Sequence, residues 1–318
     1  MKLQQLRYLY EVARQGLNVS AAAEALYTSQ PGISKQIRQL EEELGTEVFA
    51  RNGKRLTGVT QPGRIILEIA ERILHETKNL KQVAQEFTHE ASGSLSIATT
   101  HTQARYALPE VIKTFMQRYP LVQLNLYQGN PTQVALMAIS GEADIAIATE
   151  AIDLYKKLVT LPGYRWNRSV ITPPDHPLLN KHPLTLEAIA EYPLITYDSA
   201  FAGRSKINKA FVAHGLKANI VLTAIDSDVI KTYVELGLGI GIIAKMAFDP
   251  ERDRNLRAAD ASHLFDYSTT KIGLRRGGYL RGYEYAFIEL FAPYLDRKTV
   301  EAAMNAKEPE SVESNPKM

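Results

Sequence analysis

Between Ser20 and Thr57 the chain reads SAAAEALYTSQPGISKQIRQLEEELGTEVFARNGKRLT. Ala21, Ala22, Ala23, Ala25 and Leu26 make a short helix whose small side chains let a neighbouring helix come close, and Asn18 or Ser20 can cap it. Tyr27-Thr28-Ser29 reads as a tight turn. Ser29 is a good N-cap, and Pro31 follows at the second helical position, where its missing N–H costs nothing. Ile33, Ile37 and Leu40 repeat at helical spacing and face a core. The opposite face carries Thr28, Ser29, Gln30, Ser34, Lys35, Gln36 and Arg38, the donors and acceptors that meet phosphates and base edges. Glu41, Glu42 and Glu43 would face phosphate badly, so the helix should leave a DNA groove near there, and Leu44-Gly45 closes it.

Past this helix, Asn52-Gly53 favours a type I′ hairpin turn, flanked by Arg51, Lys54 and Arg55. That is a small two-stranded wing with a basic tip, suited to a nucleic-acid backbone. Upstream, Leu3, Leu6, Leu9, Tyr10, Val12 and Ala13 lie near helical spacing, and Gly16 can end that helix. Each element alone fits an ordinary three-helix bundle with solvated charges. Together, the small-residue helix, the Pro-started polar helix and the basic hairpin spell a winged helix-turn-helix that reads DNA, with Pro31 just inside the recognition helix. The net charge of +2 is too small to argue for nucleic acid by itself, so placement of the charges carries the point.

The chain has 318 residues, too many for a DNA-binding module alone. It has no cysteine, which removes disulfides, thiolate metal sites, a Cys nucleophile and thiol redox sensing. Seven histidines, with no HExxH and no close His/Asp cluster, predict no metal and no cofactor. There is no apolar run of membrane-spanning length, and the opening MKLQQLRYLYEVARQG lacks the apolar core of a signal peptide. A cytoplasmic protein with no membrane partner is the expectation.

Residues 62–88 form one long helical pattern starting at Pro62. Ile66, Ile69, Ile73, Leu80, Val83 and Phe87 step by 3, 4, 7, 3 and 4, a heptad seam in which Glu76 or Thr77 fills the missing position. At about 1.5 Å per residue the helix spans roughly 40 Å. It packs either on its own body or, the better account, on the same helix of a second chain, which would space two DNA-reading heads over a twofold site.

From residue 94 strand-like and helical runs alternate. The strands are Leu95–Thr99, Val122–Tyr127, Ile145–Ala148, Ser169–Thr172, Leu194–Tyr197, Ile220–Thr223, Gly239–Ala244 and Thr270–Gly273. Helical runs are 109–118, 131–140, 205–214, 226–236 and 282–295. Alternation of this kind predicts an α/β fold with largely parallel sheets. Ligands in such folds bind at the carboxyl ends of strands. The Leu95–Thr99 strand runs into Thr100-His101-Thr102-Gln103, and Ile145–Ala148 ends at Thr149. Hydroxyls, an amide and backbone N–H groups there suit an anion or carboxylate. Trp166, the one tryptophan, is open between core packing and a role in a hinge or pocket.

The head resembles the winged helix-turn-helix of LysR-type transcriptional regulators. Their pattern SQPxxSxQIxxLExELG is matched by Ser29-Gln30-Pro31, Ser34, Gln36-Ile37, Leu40-Glu41 and Glu43-Leu44-Gly45, followed by Phe49, Arg51, Thr57 and Gly63. The rest is similar to the branch of that family governing cysteine biosynthesis and sulfonate use. This similarity runs through IATTHTQARYALP (97–109), ADIAIATEA (143–151), YRWNR (164–168), TPPDHPL (172–178), GRS (203–205), DSDVIKTYVELGLGIGIIA (226–244) and STTKIGLRR (268–276), and covers residues 1–298.

The resemblance implies a DNA-binding domain over 1–60, a linker and dimerisation helix over 61–90, and an effector-binding domain over 91–298. That last domain would have two subdomains, like a periplasmic solute-binding protein: about 92–162 plus 267–298, and about 163–266. The tail, 299–318, is expected to be disordered. The resemblance also implies an effector pocket at Thr100, Thr102, Gln103 and Thr149. Ala202 stands just before GRS where that branch carries Thr; Ser199 or Arg204 can compensate, or specificity has shifted. The implied partners are promoter DNA, RNA polymerase, copies of the chain in a dimer or tetramer, and a small effector. Candidates are N-acetylserine, O-acetylserine, thiosulfate, sulfide, a sulfate-like anion or, in the sulfonate-linked relatives, adenosine phosphosulfate. A plain solute-binding protein is the competing class, opposed by the winged motif and the missing signal peptide. An enzyme has no support, since GLGIG at 237–241 follows a helix and enters a strand rather than forming a phosphate loop.

Overall fold

The computed structural model describes residues 1–53, 55–88, 92–199 and 202–306, and the side chains of residues 82, 85–88, 150, 202 and 203 are not among those described. The chain divides into two compact units, Met1–Thr88 and His89–Met318.

The first unit opens with α1 (Leu3–Arg14), α2 (Val19–Ala25) and α3 (Gln30–Leu44). Asn18, not Ser20, caps α2, its side chain accepting from the Ala21 N–H at 3.0 Å. Ser29 caps α3 through the Gly32 N–H, and Gly45 ends it in the left-handed region at φ 67°. Leu6, Leu9, Val12, Ala22, Ile33, Ile37, Leu40, Val48 and Phe49 form the core. The wing is β1 (Phe49–Asn52) paired antiparallel with β2 (Arg55–Val59). Asn52 pairs with Arg55, and Gly53, at φ +62°, follows Asn52 outside the ladder. The turn therefore falls one residue later than Asn52-Gly53, because glycine supplies the positive φ at the first loop position and Asn52 stays in the ladder.

The long helix α4 runs Gln61–Thr88. Its start presses on the wing: a Cβ at Gly63 would come 2.1 Å from the Val48 carbonyl oxygen. The single seam expected from Ile66 to Phe87 divides. Ile66, Leu67, Ala70, Ile73 and Leu74 pack on the head's own core, and the Tyr10 hydroxyl donates to Glu71 Oε1 at 3.2 Å. Ile65, Ile69 and Leu80 stay 58%, 41% and 70% exposed on another line of the helix. Two stripes are thus superposed in one apolar pattern; the Phe87 side chain is not described.

The second unit holds two five-stranded sheets. The first has the order β4-β3-β5-β12-β6, from β3 (Ser92–Thr99), β4 (Leu121–Gln128), β5 (Ile145–Thr149), β6 (Leu158–Trp166) and β12 (Ser268–Arg275). The second has the order β11-β7-β10-β8-β9, from β7 (Arg168–Thr172), β8 (Leu194–Tyr197), β9 (Ile220–Ala224), β10 (Ile240–Ala244) and β11 (Arg257–Asp260). Each sheet is mixed rather than largely parallel. β12 is antiparallel to β5 and β6, and β7 is antiparallel to β10 and β11. β12 brings the chain back from the second subdomain, so it runs against β6, the strand on which the chain left. Helices α5 (Pro109–Arg118), α6 (Pro131–Ser140), α10 (Gly282–Phe291) and α11 (Arg297–Asn305) belong to the first layer. The second layer has α7 (Leu186–Ala190), α8 (Ala202–Ala213) and α9 (Ser227–Glu235).

Two boundaries shift. β6 stays in the first sheet as far as Trp166, which pairs with Ser268, so the outward crossing lies at Asn167 and not at 162–163. The expected disordered tail from 299 begins instead as α11, capped by Asp296 and anchored by buried Val300 in the first core. Residues from Lys307 onward lie outside those described.

The crossings are braced. The Asn167 side chain donates to the carbonyls of Ser262 (2.8 Å) and Phe265 (3.1 Å) on the returning segment. Arg168, fully buried, donates to the Asp266 carbonyl at 3.0 Å and to Ser268 Oγ at 2.9 Å. Its guanidinium lies over the Trp166 ring at 5.1 Å. The outgoing and returning strands are therefore tied side to side where the subdomains meet.

Candidate functional site

The head presents a polar face on α3. Ser29, Gln30, Pro31, Lys35 and Arg38 are exposed, and Thr28, Ser34 and Gln36 are half-buried, while Ile33, Ile37 and Leu40 point inward. Tyr27, at φ 51°, holds its ring 99% exposed at the turn. In the wing Arg55 is exposed and Lys54 lies outside the described residues.

Arg51 departs from the basic-tip expectation. Its guanidinium turns inward to pair with Glu41 and donates to the Phe49 carbonyl at 3.3 Å. Glu41 is itself buried, and its Oε1 also accepts the N–H groups of Val48 (2.8 Å) and Phe49 (3.2 Å). The first of the three glutamates is thus a strut between recognition helix and wing, not a surface charge facing phosphate. Its place four residues after Ile37 was the available sign.

In the second unit β3 and β5 lie side by side and parallel, with Thr99 opposite Ile147 and the Thr99 hydroxyl donating to the Ile147 carbonyl at 2.8 Å. Thr100 and Thr149 therefore come together at the carboxyl ends of neighbouring strands. Thr102 and Gln103 follow in the turn into a π-helical segment, Gln103–Ala107. Thr100, Gln103 and Thr149 are all buried. The Tyr164 hydroxyl donates to Gln103 Oε1, which leaves the amide's NH₂ as the end that can serve an acceptor such as an anion oxygen. Burial pushes the Tyr164 phenol up, against the pull of its hydrogen bonds with Thr270 and Gln103, so it stays a neutral donor at physiological pH.

Trp166 belongs to this assembly. Its Nε1 donates to Thr270 Oγ1 at 3.1 Å, and Thr270 pairs across the sheet with Thr149. Its ring packs against the second subdomain's core, so it lies at the crossing and touches both halves. Across the cleft, Thr102 hydrogen-bonds the phenol of Tyr197, which also bonds Ser227 Oγ (2.7 Å) and accepts the Ala244 N–H (3.0 Å). Burial raises that phenol, with the three hydrogen bonds acting the other way. Arg204 donates to the Tyr197 carbonyl at 3.1 Å and to Asn208 at 2.9 Å. Ala202 opens α8, and its side chain is not described.

A cavity of about 290 Å³ opens beside the loop, lined by His101, Gln128, Gly129, Asn130, Gln133, Asp198 and Ile225. It lies at the carboxyl ends of β4, β8 and β9, which is the crevice that strand polarity predicts. Thr100, Thr102, Gln103 and Thr149 are not among its lining residues.

Sequence reasoning missed Tyr164, Tyr197 and Thr270, and it also missed Asp228, which meets His101, Arg105 and Tyr106 across the cleft. Only Tyr164 left a local sign, two residues before Trp166. The expectation of no close His/Asp cluster also needs correcting. His101, Asp226 and Asp228 offer ligand atoms within 4.8 Å of one another, brought together from distant segments. Arg105 Nε already stands 2.8 Å from Asp228, so a cation there would have to displace a guanidinium.

Comparison with known proteins agrees with this division. Residues 3–64 match the bacterial regulatory helix-turn-helix protein, lysR family, and residues 88–296 match the LysR substrate binding domain. The chain belongs to the LysR family of transcriptional regulators. It is a regulator and not an enzyme. It is 55% identical over 307 residues to the HTH-type transcriptional regulator CysB of Burkholderia cenocepacia, covering 96% of this chain and 98% of that one. It is 52% identical over 290 residues to the HTH-type transcriptional regulator cbl of Escherichia coli, covering 91% and 92%. The crystal structure of the cofactor-binding domain of the Cbl transcriptional regulator superposes with a TM-score of 0.66 at 49% identity, covering 69% of this chain and 96% of that one. No helix among the described residues is long and apolar enough to cross a membrane.

Proposed function

We propose that this LysR-family regulator controls promoters of cysteine-biosynthesis and sulfur-assimilation genes in response to a small acylated amino acid, N-acetylserine or O-acetylserine, or a sulfate-like anion. The observation that carries this is the 55% identity to a CysB over 96% of this chain and 98% of that one. The ligand would sit among those hydroxyls, the Gln103 amide and backbone N–H groups, with Trp166, Arg204 and the Ala202 position near the subdomain junction. Closing on it would favour one arrangement of the sensor over another, and DNA affinity would follow that population shift. The exposed Ile65, Ile69 and Leu80 stripe of α4 would pair two chains, and pairs of dimers would give a tetramer. Activation would need contact with RNA polymerase, in the cytoplasm where the promoter DNA is.

A second reading is a Cbl-like regulator of sulfonate-use genes sensing adenosine phosphosulfate. The 52% identity to cbl supports it. Calorimetric titration of the full chain with N-acetylserine, O-acetylserine and adenosine phosphosulfate separates the two. Binding of none of them, nor of sulfate in the same titration, would overturn both.

Two substitutions test the division of labour. Arg38→Ala should weaken binding to a sulfur-assimilation promoter by about tenfold or more and flatten its salt dependence, with effector affinity unchanged in calorimetry. Thr100→Val removes one hydroxyl and should cost about tenfold in effector affinity, with basal DNA binding unchanged in a gel shift. An unaltered effector titration would remove Thr100 from the pocket.

A further inference from the structure

One carboxylate of the opposite subdomain gathers three residues of the segment that carries the candidate effector residues. Asp228 sits in the first turn of α9, in the second subdomain. Its Oδ2 lies 3.0 Å from His101 Nε2 and 2.8 Å from Arg105 Nε, and its Oδ1 accepts the Tyr106 hydroxyl at 2.6 Å. All three partners belong to the segment that follows β3 in the first subdomain. Tyr106 goes further and packs its ring against the second subdomain's core. Lys231, one turn along α9, donates to the same Tyr106 hydroxyl at 2.9 Å and pairs with Asp253 at 2.9 Å. The Lys231 ammonium also stands 5.0 Å from the Tyr106 ring centre.

We propose that Asp228 is the positioning residue for the effector loop: its carboxylate draws His101, Arg105 and Tyr106 onto α9 and so sets both the shape of Thr100–Gln103 and the closure of the cleft.

Thr102 and Gln103 lie between two of the tethered residues, so the loop cannot change shape without moving them. When the subdomains part, all three bonds break together, since His101, Arg105 and Tyr106 stay with β3 while Asp228 leaves with α9. The Asp228 acid stays ionised in the closed form. Burial would raise it, but hydrogen bonds from Tyr106 and His101 and the charges of Arg105 and Lys231 outweigh burial and hold it below the ordinary carboxylate range. Charge-assisted bonds of this kind are the stronger class, so losing the negative charge moves the closed–open balance more than losing one neutral bond. His101 also borders the 290 Å³ cavity and bonds Gln128 at 3.1 Å, so the tether touches the opening through which a ligand would enter.

Amide hydrogen exchange on the full-length, ligand-free protein tests this directly. Asp228→Asn keeps the shape and an acceptor oxygen but drops the charge. It is expected to speed exchange across residues 100–107 by about tenfold while amides of β3 and β5 stay unchanged. Asp228→Glu, which restores the charge, should recover most of the protection; a residue that merely packs would be rescued by Asn and not by Glu. Should the Asn variant fail to fold, Arg105→Leu removes one charged donor at the exposed rim and should speed the same amides by a few-fold. Unchanged exchange over 100–107 in these variants overturns the proposal. A second measurement rests on the effector reading above: N-acetylserine affinity in Asp228→Asn should fall about tenfold. If the unaltered protein binds no N-acetylserine, that reading fails while the exchange result still decides the role of Asp228.

Discussion

Glu41→Ala is expected to destabilise the DNA-reading head by about 3 kcal/mol, the size of loss seen when one partner of a buried ion pair is removed. Three groups lose their acceptor at once: the N–H groups of Val48 and Phe49 and the Arg51 guanidinium. Arg51 is then left as a partly buried charge, its side chain 19% exposed, with the Phe49 carbonyl as its remaining close acceptor besides Glu47 at 4.0 Å. For a unit of this size the melting temperature of the head should drop by roughly 15 °C, read by scanning calorimetry. Promoter affinity should fall by more than tenfold, because the strut fixes the wing relative to the recognition helix. Glu42→Ala next door, at an exposed position, should change stability by less than about 0.5 kcal/mol. Equal effects of the two substitutions would show that Glu41 is no strut.

Arg168→Met should cost the sensor about 3 kcal/mol and uncouple its two halves. The side chain is fully buried, and methionine keeps much of its length while leaving the Asp266 carbonyl and Ser268 Oγ without their donors. Those acceptors lie at the start of β12 and just before it, where the chain returns to the first subdomain, so the loss falls on the crossing. Urea unfolding followed by the fluorescence of the lone tryptophan, Trp166, reports on the place itself, since the guanidinium stands over that ring. Arg168→Lys should rescue only in part, because an ammonium cannot reproduce the planar fork that reaches two acceptors. A loss below about 1 kcal/mol for Met would mean the crossings are held by Asn167 and packing alone.

Much of the architecture was legible along the chain because local rules sufficed. Ser29 and Pro31 mark the start of α3, Gly45 its end, and the Ile33, Ile37 and Leu40 spacing its buried face. The eight anticipated strands all formed, since runs such as Ile145–Thr149 are continuous apolar stretches that suit a buried sheet. Two strands were not anticipated. Leu158–Trp166 contains Pro162 and Gly163, which weaken a strand pattern, and tolerates them where its pairing with β12 shifts register. Arg257–Asp260 is short, polar at both ends and on the edge of its sheet.

The candidate site divides in the same way. Thr100, Thr102, Gln103 and Thr149 could be nominated because strand polarity puts carboxyl ends at a crevice, and the run of hydroxyls and amides there is local. Tyr197, Thr270 and Asp228 could not, because each acts on residues about 95 or more positions away or on a strand whose neighbours the sequence does not reveal. Charge was the least legible property. Glu41, Glu42 and Glu43 are alike on the page, and so are Arg51, Lys54 and Arg55.

The sequence by itself determined that this protein has a capped, Pro-started recognition helix, a wing, a long helix and an α/β sensor, because helix caps, periodicity and turn chemistry act over a few residues. Only the tertiary structure decided which glutamate is a strut, which arginine braces the crossings and which aspartate meets the segment after β3. Those roles depend on desolvation and on partners from distant segments, and neither exists until the chain has folded.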